Sequence, residues 1–371
     1  MIEIVWSKIF ISMGFITATG IVLSALLVFA EKKILNYGTC TVNINDNKKK
    51  LEVQGGSSLL STLADNNIFV PSACGGRGSC GHCKTRVIEG GGMINPVEYA
   101  YITDDDVANN VRLACQVKVR EDMSIAIPDE LFNVKRFKAR VVHKRPLTHD
   151  IIELKLELIE PKRIDFKAGQ YVQLETEKYK GREGVSRAYS MSSLPSDNGM
   201  IELIIRKVPD GISTTWVFDI LQEGDEVYFS GPYGKFHLSD TEAPMIFIAG
   251  GSGMAPIWSM IKHMKDKGIK RKAYYFFGAT TQKDLFFADE LYKMQDEIEN
   301  FTFIPVLSNE PEDSDWKGER GFANAVVMKY IPDISKHEGY LCGGPGMINA
   351  CVKSMNSGGI TDDRIFYDKF A

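Results

Sequence analysis

Hydrophobic positions follow three different periods along this chain. From Ile9 to Ala30 they are unbroken by charge: the 22 residues IFISMGFITATGIVLSALLVFA hold no Asp, Glu, Lys or Arg. At about 1.5 Å per residue such a helix crosses a hydrocarbon core of about 30 Å, so the segment reads as a membrane span. Lys32 and Lys33 follow it against Lys8 alone before it, which places the C-terminal bulk in the cytoplasm by the positive-inside rule. A cleaved signal peptide has a basic start, a shorter apolar core and a small-residue cleavage site. Glu3 ahead of Lys8, and bulky Val28 and Phe29 at the end of the run, favour a retained anchor instead.

Beyond the anchor the period shortens to two. Cys40 to Val53 alternates around the polar stretch Asn45 to Lys49 and predicts a β-hairpin. A second series opens near Lys135 with KRFKARVVHKR and DIIELKLEL. It continues through QYVQLET, RAYSMSS, MIELIIRK and DEVYFSGPYG, separated by Gly, Pro and Asp turns, with one helical stretch at Thr214 to Leu221. Many short strands and one helix predict a small antiparallel barrel. From Pro244 the strand MIFIAG is apolar throughout and IWSMIKHMKDKG has helical spacing. KAYYFFGA, a helix over Lys283 to Ile298, FTFIPVLS, a helix over Phe322 to Tyr330, GYLCGG and a helix from Met347 keep up the alternation. That order predicts a parallel sheet. The expected architecture is α+β and α/β multidomain: anchor and linker over 1–37, a cysteine-bearing domain over 38–133, the barrel over 134–240 and the α/β domain over 241–371.

Composition removes several classes of function. The 371 residues are 44% apolar and 25% charged, which excludes wholesale disorder. A net charge of −4 and a pI near 6.0 offer no positive field for nucleic acid. Seven cysteines are too few for a disulfide scaffold, and three of them crowd into CGGRGSCGHC, a pattern of metal ligation in a reducing compartment. Cys74, Cys80 and Cys83 stand at C-x5-C-x2-C spacing and Cys115 follows in RLACQV; four thiolates is the number a [2Fe–2S] cluster requires. Glycines 75, 76, 78 and 81 let the loop curl with its N–H groups toward sulfur. A four-cysteine zinc site is the rival. Zinc ribbons pair two C-x2-C motifs, whereas here the fourth cysteine stands alone, and the cluster is the expectation. Cys40 and Cys351 read as buried packing residues and His82 as solvent-facing.

On these residues, 38 to 130 resemble a ferredoxin of the β-grasp kind, with spacing one residue longer than the plant C-x4-C-x2-C. Downstream, Arg187, Tyr189 and Ser190 in RAYSMSS match the R-x-Y-[ST] signature of the ferredoxin-NADP reductase family. The chemistry asks for a guanidinium on the FAD pyrophosphate, an aromatic ring on the isoalloxazine and a hydroxyl toward flavin N5. Gly211, Ser213 and Thr214 in PDGIST fall where that family has its second phosphate-binding turn. Gly250, Gly251 and Gly253 in AGGSGMAP match its G-G-x-G-x-x-P nicotinamide turn, and Cys342, Gly343, Gly344, Pro345 and Gly346 its second nicotinamide motif. The resemblance implies catalytic roles for Ser190, Cys342 and the C-terminal aromatic Phe370. The turn GATTQKD has no arginine for a 2′-phosphate: Thr280, Thr281, Gln282 and Asp284 favour NADH, with Lys283 the one contrary charge.

Taken in order, anchor, ferredoxin, flavin barrel and nicotinamide domain resemble the F subunits of the sodium-translocating NADH:quinone oxidoreductases. Soluble oxygenase reductases share the last three parts and lack the first, which leaves a reductase feeding an oxygenase as the alternative. The resemblance implies FAD, a [2Fe–2S] cluster and NADH. It further implies other integral membrane subunits as partners, quinone reached through them, and a single-pass protein of the cell inner membrane. One departure is the short stretch between Tyr171 and Arg187, where those relatives carry a longer insertion.

Overall fold

The structure is a computed structural model that describes residues 13–26, 37–72 and 74–370. Residues 13–26 of the apolar run form a helix, α1, with every side chain exposed. The rest of Ile9 to Ala30 lies outside the described residues, and among those described no helix is long and apolar enough to cross a membrane. The chain divides into two compact units, Met1–Val70 with Gly76–Phe132, and Pro71–Gly75 with Asn133–Ala371.

The first unit is a mixed five-stranded sheet. Strands β1 (Thr39–Ile44) and β2 (Lys49–Gln54) form the expected hairpin, Val42 opposite Leu51. Its turn holds Asn45, Asp46 and Asn47 in the left-handed region at φ 50, 53 and 68°, a conformation short amide and carboxylate side chains tolerate. Helix α2 (Leu59–Asp65) is capped by the Ser58 hydroxyl, which accepts from Ser61 N. Then come β3 (Lys84–Glu89), the short helix α3 (Asp104–Ala108), β4 (Val111–Leu113) and β5 (Met123–Ala126). The order is β2-β1-β5-β3-β4, with β1 and β5 parallel. Val42, Ile44, Leu59, Leu63, Leu113 and Ile125 meet in a dry core. A buried ion pair spans its edge: Arg112 on β4 bonds Glu98 at 2.6 Å and also donates to the carbonyls of Gly91, Gly92 and Met93. Glu98 in turn accepts from the amides of Asn95 and Leu113, so loop 91–98 is tied to the strand that leads into Cys115.

The second unit begins with the barrel. Its strands are β6 (Lys135–Pro146), β7 (Ile151–Glu160), β8 (Tyr171–Glu175), β9 (Ser186–Ser190), β10 (Met200–Arg206) and β11 (Glu226–Tyr233). The antiparallel order β10-β7-β6-β11-β8-β9 nearly closes, because Met191 bridges Leu203 across the open edge. Phe137 and Phe229 stack at 5.0 Å in its interior, and helix α4 (Ile212–Asp219) sends Trp216 and Val217 into the same core.

The α/β part follows as β12 (Met245–Gly250), α5 (Met254–Lys267), β13 (Ala273–Ala279), α6 (Ala288–Glu297), β14 (Phe301–Leu307), β15 (Glu319–Arg320), α7 (Ala323–Tyr330), β16 (Glu338–Gly343), α8 (Pro345–Ser357) and β17 (Ile365–Lys369). All strands are parallel in the order β15-β14-β13-β12-β16-β17. Strand β12 is apolar throughout because both of its faces are covered. Phe247 and Ala249 join the core under α5, while Ile246 and Ile248 join the one under α7 and α8.

Several helices differ from their expected limits. The helix expected over Lys283 to Ile298 starts only at Ala288, since Gln282–Asp284 forms its own single turn and Phe287 sits at φ 56°. The helix expected from Met347 starts two residues earlier at Pro345, a first-turn position where proline loses no bond. The helix expected over Thr214 to Leu221 runs over Ile212–Asp219.

Candidate functional site

The cysteine loop is built by local geometry. Gly76, Gly78 and Gly81 hold φ of 85, 76 and 71°, where a side chain would be strained. A Cβ on Gly78 would stand 2.6 Å from Gln116 Nε2, and one on Gly81 3.1 Å from Tyr101 Cβ. Within the first unit Cys83, buried ahead of β3, donates its thiol hydrogen to Cys115, and Cys80 lies close enough for its charge to be felt. That bond draws the Cys115 thiol down to about 6, burial works against it, and the Gln116 side chain and the Gly78 amide add to the lowering. Donating and buried, Cys83 is pushed up. Cys74 is buried and belongs to the segment Pro71–Gly75 of the second unit. Among the described residues no three His, Cys, Asp or Glu side chains are arranged around one metal ion. A thiolate-favouring cysteine, amides aimed at its sulfur and a glycine cradle fit a [2Fe–2S] cluster. His82 is exposed, and Cys40 and Cys351 are buried with thiols raised by burial, that of Cys351 to about 12.

In the second unit β9 carries the flavin motif. Arg187 and Tyr189 lie opposite Leu174 and Val172 of β8, and Ser190 opposite Tyr171. The Arg187 guanidinium donates to Ser186 O at 2.8 Å. Tyr189 shares a 2.8 Å hydrogen bond with Ser213, and burial pushes its phenol up. Thr214 spends its hydroxyl on the turn, accepting from Val208 N at 3.1 Å and donating to Val208 O at 3.2 Å. A Cβ on Gly211 would stand 2.7 Å from that hydroxyl. No side chain caps α4 at Gly211, so its first amides have no side-chain acceptor and suit an anion. Arg187, the Tyr189 ring and these amides fit FAD.

A cavity of about 560 Å³ opens over the C-terminal ends of β12 and β13, where ligands bind in open α/β sheets. Gly250, Gly251, Gly344 and Gly346 line it, and Gly251 needs its φ of 54°. Gly253 does different work: a Cβ there would stand 2.3 Å from Cys342 O, so this glycine lets the turn close on β16. Gly343 is buried beside Met347, and Pro345 opens α8. Cys342 is fully buried, its thiol pushed well up by burial and the nearby Asp368 carboxylate, and it does not line the cavity. Phe370 is half-buried, packs on the α5-side core and donates its amide to Gly343 O at 3.0 Å. On the neighbouring strand end, Ser190 donates to Asp368 at 3.4 Å, which joins the flavin motif to the nicotinamide side of the sheet.

Of the turn expected to select the coenzyme, Thr280 and Asp284 line the cavity. Thr281 donates its amide and hydroxyl to Asp284, and Gln282 donates to Glu310. Lys283 is exposed and is not among the residues that line the cavity. The charge around the turn is acidic. Sequence reasoning missed Arg206 and Asp150, paired at 2.7 Å on the barrel side of the cavity. Their only signal was an arginine closing the strand MIELIIR, and its role depends on the barrel facing the α/β sheet.

Three family profiles match in chain order: a 2Fe-2S iron-sulfur cluster binding domain over 42–120, an oxidoreductase FAD-binding domain over 138–238 and an oxidoreductase NAD-binding domain over 247–353. The chain is similar to the F subunit of the Na(+)-translocating NADH-quinone reductase of Histophilus somni, 34% identical over 98% of this chain and 99% of that one. It is 35% identical, over the same shares, to the corresponding F subunit of Klebsiella pneumoniae. The first alignment runs to 407 positions, so that relative carries residues this 371-residue chain lacks. Among solved structures the chain is similar to the Amycolatopsis cytochrome P450 reductase GcoB (28% identical, TM-score 0.73) and to the ferredoxin reductase in carbazole 1,9a-dioxygenase (26%, TM-score 0.70). Each of these covers 90% of this chain and 99% of its own.

Proposed function

The chain belongs to the family of Na(+)-translocating NADH-quinone reductase F subunits, and from that premise we propose that it is the NADH-oxidising, membrane-anchored module of such a complex. Bound FAD supplies the exchange between a two-electron hydride and single electrons, and a [2Fe–2S] cluster accepts electrons one at a time. The chain's own residues do the holding. Arg187 and the α4 amides bind the flavin pyrophosphate, and Ser190 offers a hydroxyl beside the flavin edge. Gly250 and Gly251 let the NADH pyrophosphate approach the backbone. Cys74, Cys80, Cys83 and Cys115 are the proposed cluster ligands. Cys342, buried in this structure, and Phe370, beside Gly343, flank the nicotinamide end rather than the phosphate end. Arg206, held by Asp150, is a further cation within reach of the coenzyme.

The observation that carries this reading is the Ser190–Asp368 contact, which sets the flavin strand against the last strand of the nicotinamide sheet. The apolar run Ile9 to Ala30 supports a single-pass anchor in the inner membrane, with the catalytic domains in the cytoplasm and the electrons passing to integral membrane partners and thence to quinone. A reductase serving an oxygenase is favoured by the two structural neighbours, and the apolar run distinguishes the readings. Two measurements test the proposal: purification from detergent-solubilised membranes, expected to bring other integral subunits with it, and coenzyme preference. With acidic groups around the ribose turn, NADH should exceed NADPH by at least about tenfold in kcat/KM. Comparable values for both coenzymes would overturn the NADH assignment.

A further inference from the structure

We propose that Lys262, through its ion pair with Glu202, is a positioning residue that holds the nicotinamide turn at the flavin strand for hydride transfer, an inference that rests on reading the cavity as the NADH site and β9 as the flavin strand. All the residues concerned lie in the second unit. Glu202 stands on β10 of the barrel and takes two lysines at once: Lys155 of β7 at 2.8 Å and Lys262 of α5 at 2.7 Å. The pair with Lys155 is internal to the barrel. The pair with Lys262 crosses to the α/β sheet, with only 18% and 19% of its two side chains exposed. Each end of that crossing leads to a reacting group. Helix α5 starts at Met254, directly after the glycine turn proposed for the NADH pyrophosphate, and Lys262 follows about two turns on. On the barrel side, Glu202 N donates to Ser193 Oγ at 2.8 Å, and Glu202 O accepts from Ser192 N at 2.7 Å. Those serines stand two and three positions after Ser190, the hydroxyl proposed beside the flavin edge. Ser259, one turn ahead of Lys262 on the same helix face, donates to Ser193 O at 2.6 Å.

Apolar packing alone does not fix this seam. Ile151 and Ile204 of the barrel join the core under α5, but burial of apolar surface is non-directional and tolerates sliding. A hydrogen-bonded ion pair has one distance and one direction, and where it is mostly buried, salt screens it less than a surface pair. A second set of contacts keeps Lys262 in place. Its ammonium lies 5.6 Å from the Trp258 ring centroid, and Trp258 stacks on Phe287 at 5.6 Å. The guanidinium of Arg145, on β6, lies 5.5 Å from the Phe287 centroid and is itself held by Glu153 of β7 at 2.8 Å. Phe287 keeps a left-handed φ of 56°, a conformation that a bulky residue holds only where its surroundings over-determine it. The seam is thus fastened by charge at Glu202 and by cations on aromatic rings at Trp258 and Phe287. Buried ion pairs add little net stability; what this one supplies is register, and a misplacement of about 1 Å between reacting atoms costs roughly 100-fold in rate.

In the full-length protein, anaerobic stopped-flow reduction of the flavin at saturating NADH separates hydride transfer from coenzyme binding. Lys262→Met keeps an unbranched stem and leaves Glu202 its pair with Lys155, so FAD content and the Kd for NADH should stay within about twofold of the unmodified protein. The reduction rate should fall roughly tenfold, and Lys262→Arg, which can still pair with Glu202, should restore it. Ser259→Ala removes only the bond to Ser193 and should slow the same step; it decides the matter alone if Lys262→Met does not accumulate. A rate within about twofold of the unmodified protein in Lys262→Met, or in Ser259→Ala where that variant decides, would overturn the proposal. So would a slow rate that came with lost FAD or that Lys262→Arg did not restore, since either marks Lys262 as structural. If NADH failed to reduce the flavin of the unmodified protein, the proposed function would fall, and this inference with it.

Discussion

Arg187 shows how much a single side chain is asked to do. Its guanidinium donates to the neighbouring Ser186 carbonyl at 2.8 Å, a bond that orients a fork able to meet an anion through several N–H groups. A charge-assisted bond to a pyrophosphate contributes about 1.5–3 kcal/mol. Arg187→Ala should therefore weaken FAD binding roughly 10- to 100-fold, read as a fall in the flavin-to-protein ratio after dialysis. An unchanged ratio would remove Arg187 from the proposed pyrophosphate site. Neighbouring positions also do structural work of their own. Thr214 closes its own turn through Val208, Gly253 makes room for the Cys342 carbonyl, and burial pushes the Cys342 thiol well up.

Among the elements, the loop over residues 91–98 and strand β4 depend on one ion pair. Burial by itself would raise the Glu98 carboxyl, but the bonds from Arg112 and from the Leu113 and Asn95 amides outweigh it and hold the group below its ordinary range. A carboxyl whose folded pKa is depressed stabilises the fold above its unfolded value, about 4.3, and that stability is lost as pH falls through the lower folded value. Asp106, held down chiefly by Lys84, adds to the same trend from the surface. The first unit should thus weaken on acidification below about pH 4. Glu98→Gln should flatten that dependence and cost about 3–5 kcal/mol at neutral pH by leaving Arg112 buried without its counter-charge. Thermal unfolding followed across that range checks both, and an unaltered acid slope in the variant would assign the loss to other carboxylates. Because β4 runs directly into Cys115, the same variant tests whether the pair also steadies a proposed cluster ligand.

At the scale of the whole molecule, the proposed anchor and the proposed chemistry fall on different parts of the chain. Removing residues 1–30 should leave a protein that no longer sediments with membranes yet still reduces ferricyanide with NADH, since the barrel and the α/β sheet lie in one compact unit, Pro71–Gly75 with Asn133–Ala371, that contains none of those residues. A truncated chain that stayed in the membrane fraction without partners would refute the anchor. The sequence by itself determined the order of parts and the local shape of each turn. CGGRGSCGHC, RAYS and AGGSGMAP are contiguous, and the glycine φ values and outward amides they need are set by adjacent residues. The change from period-two strands to alternating apolar strands and amphipathic helices likewise announced the barrel and the parallel sheet. Only the tertiary structure decided what happens between distant residues. It brought Ser190 to Asp368 across 178 positions, set Arg206 and Asp150 at the mouth of a cavity formed with the opposite sheet, buried Cys342, and delayed α6 to Ala288 through a left-handed Phe287. Those outcomes depend on which faces meet when separately folded elements pack, and nearest-neighbour preferences along a chain do not encode that meeting.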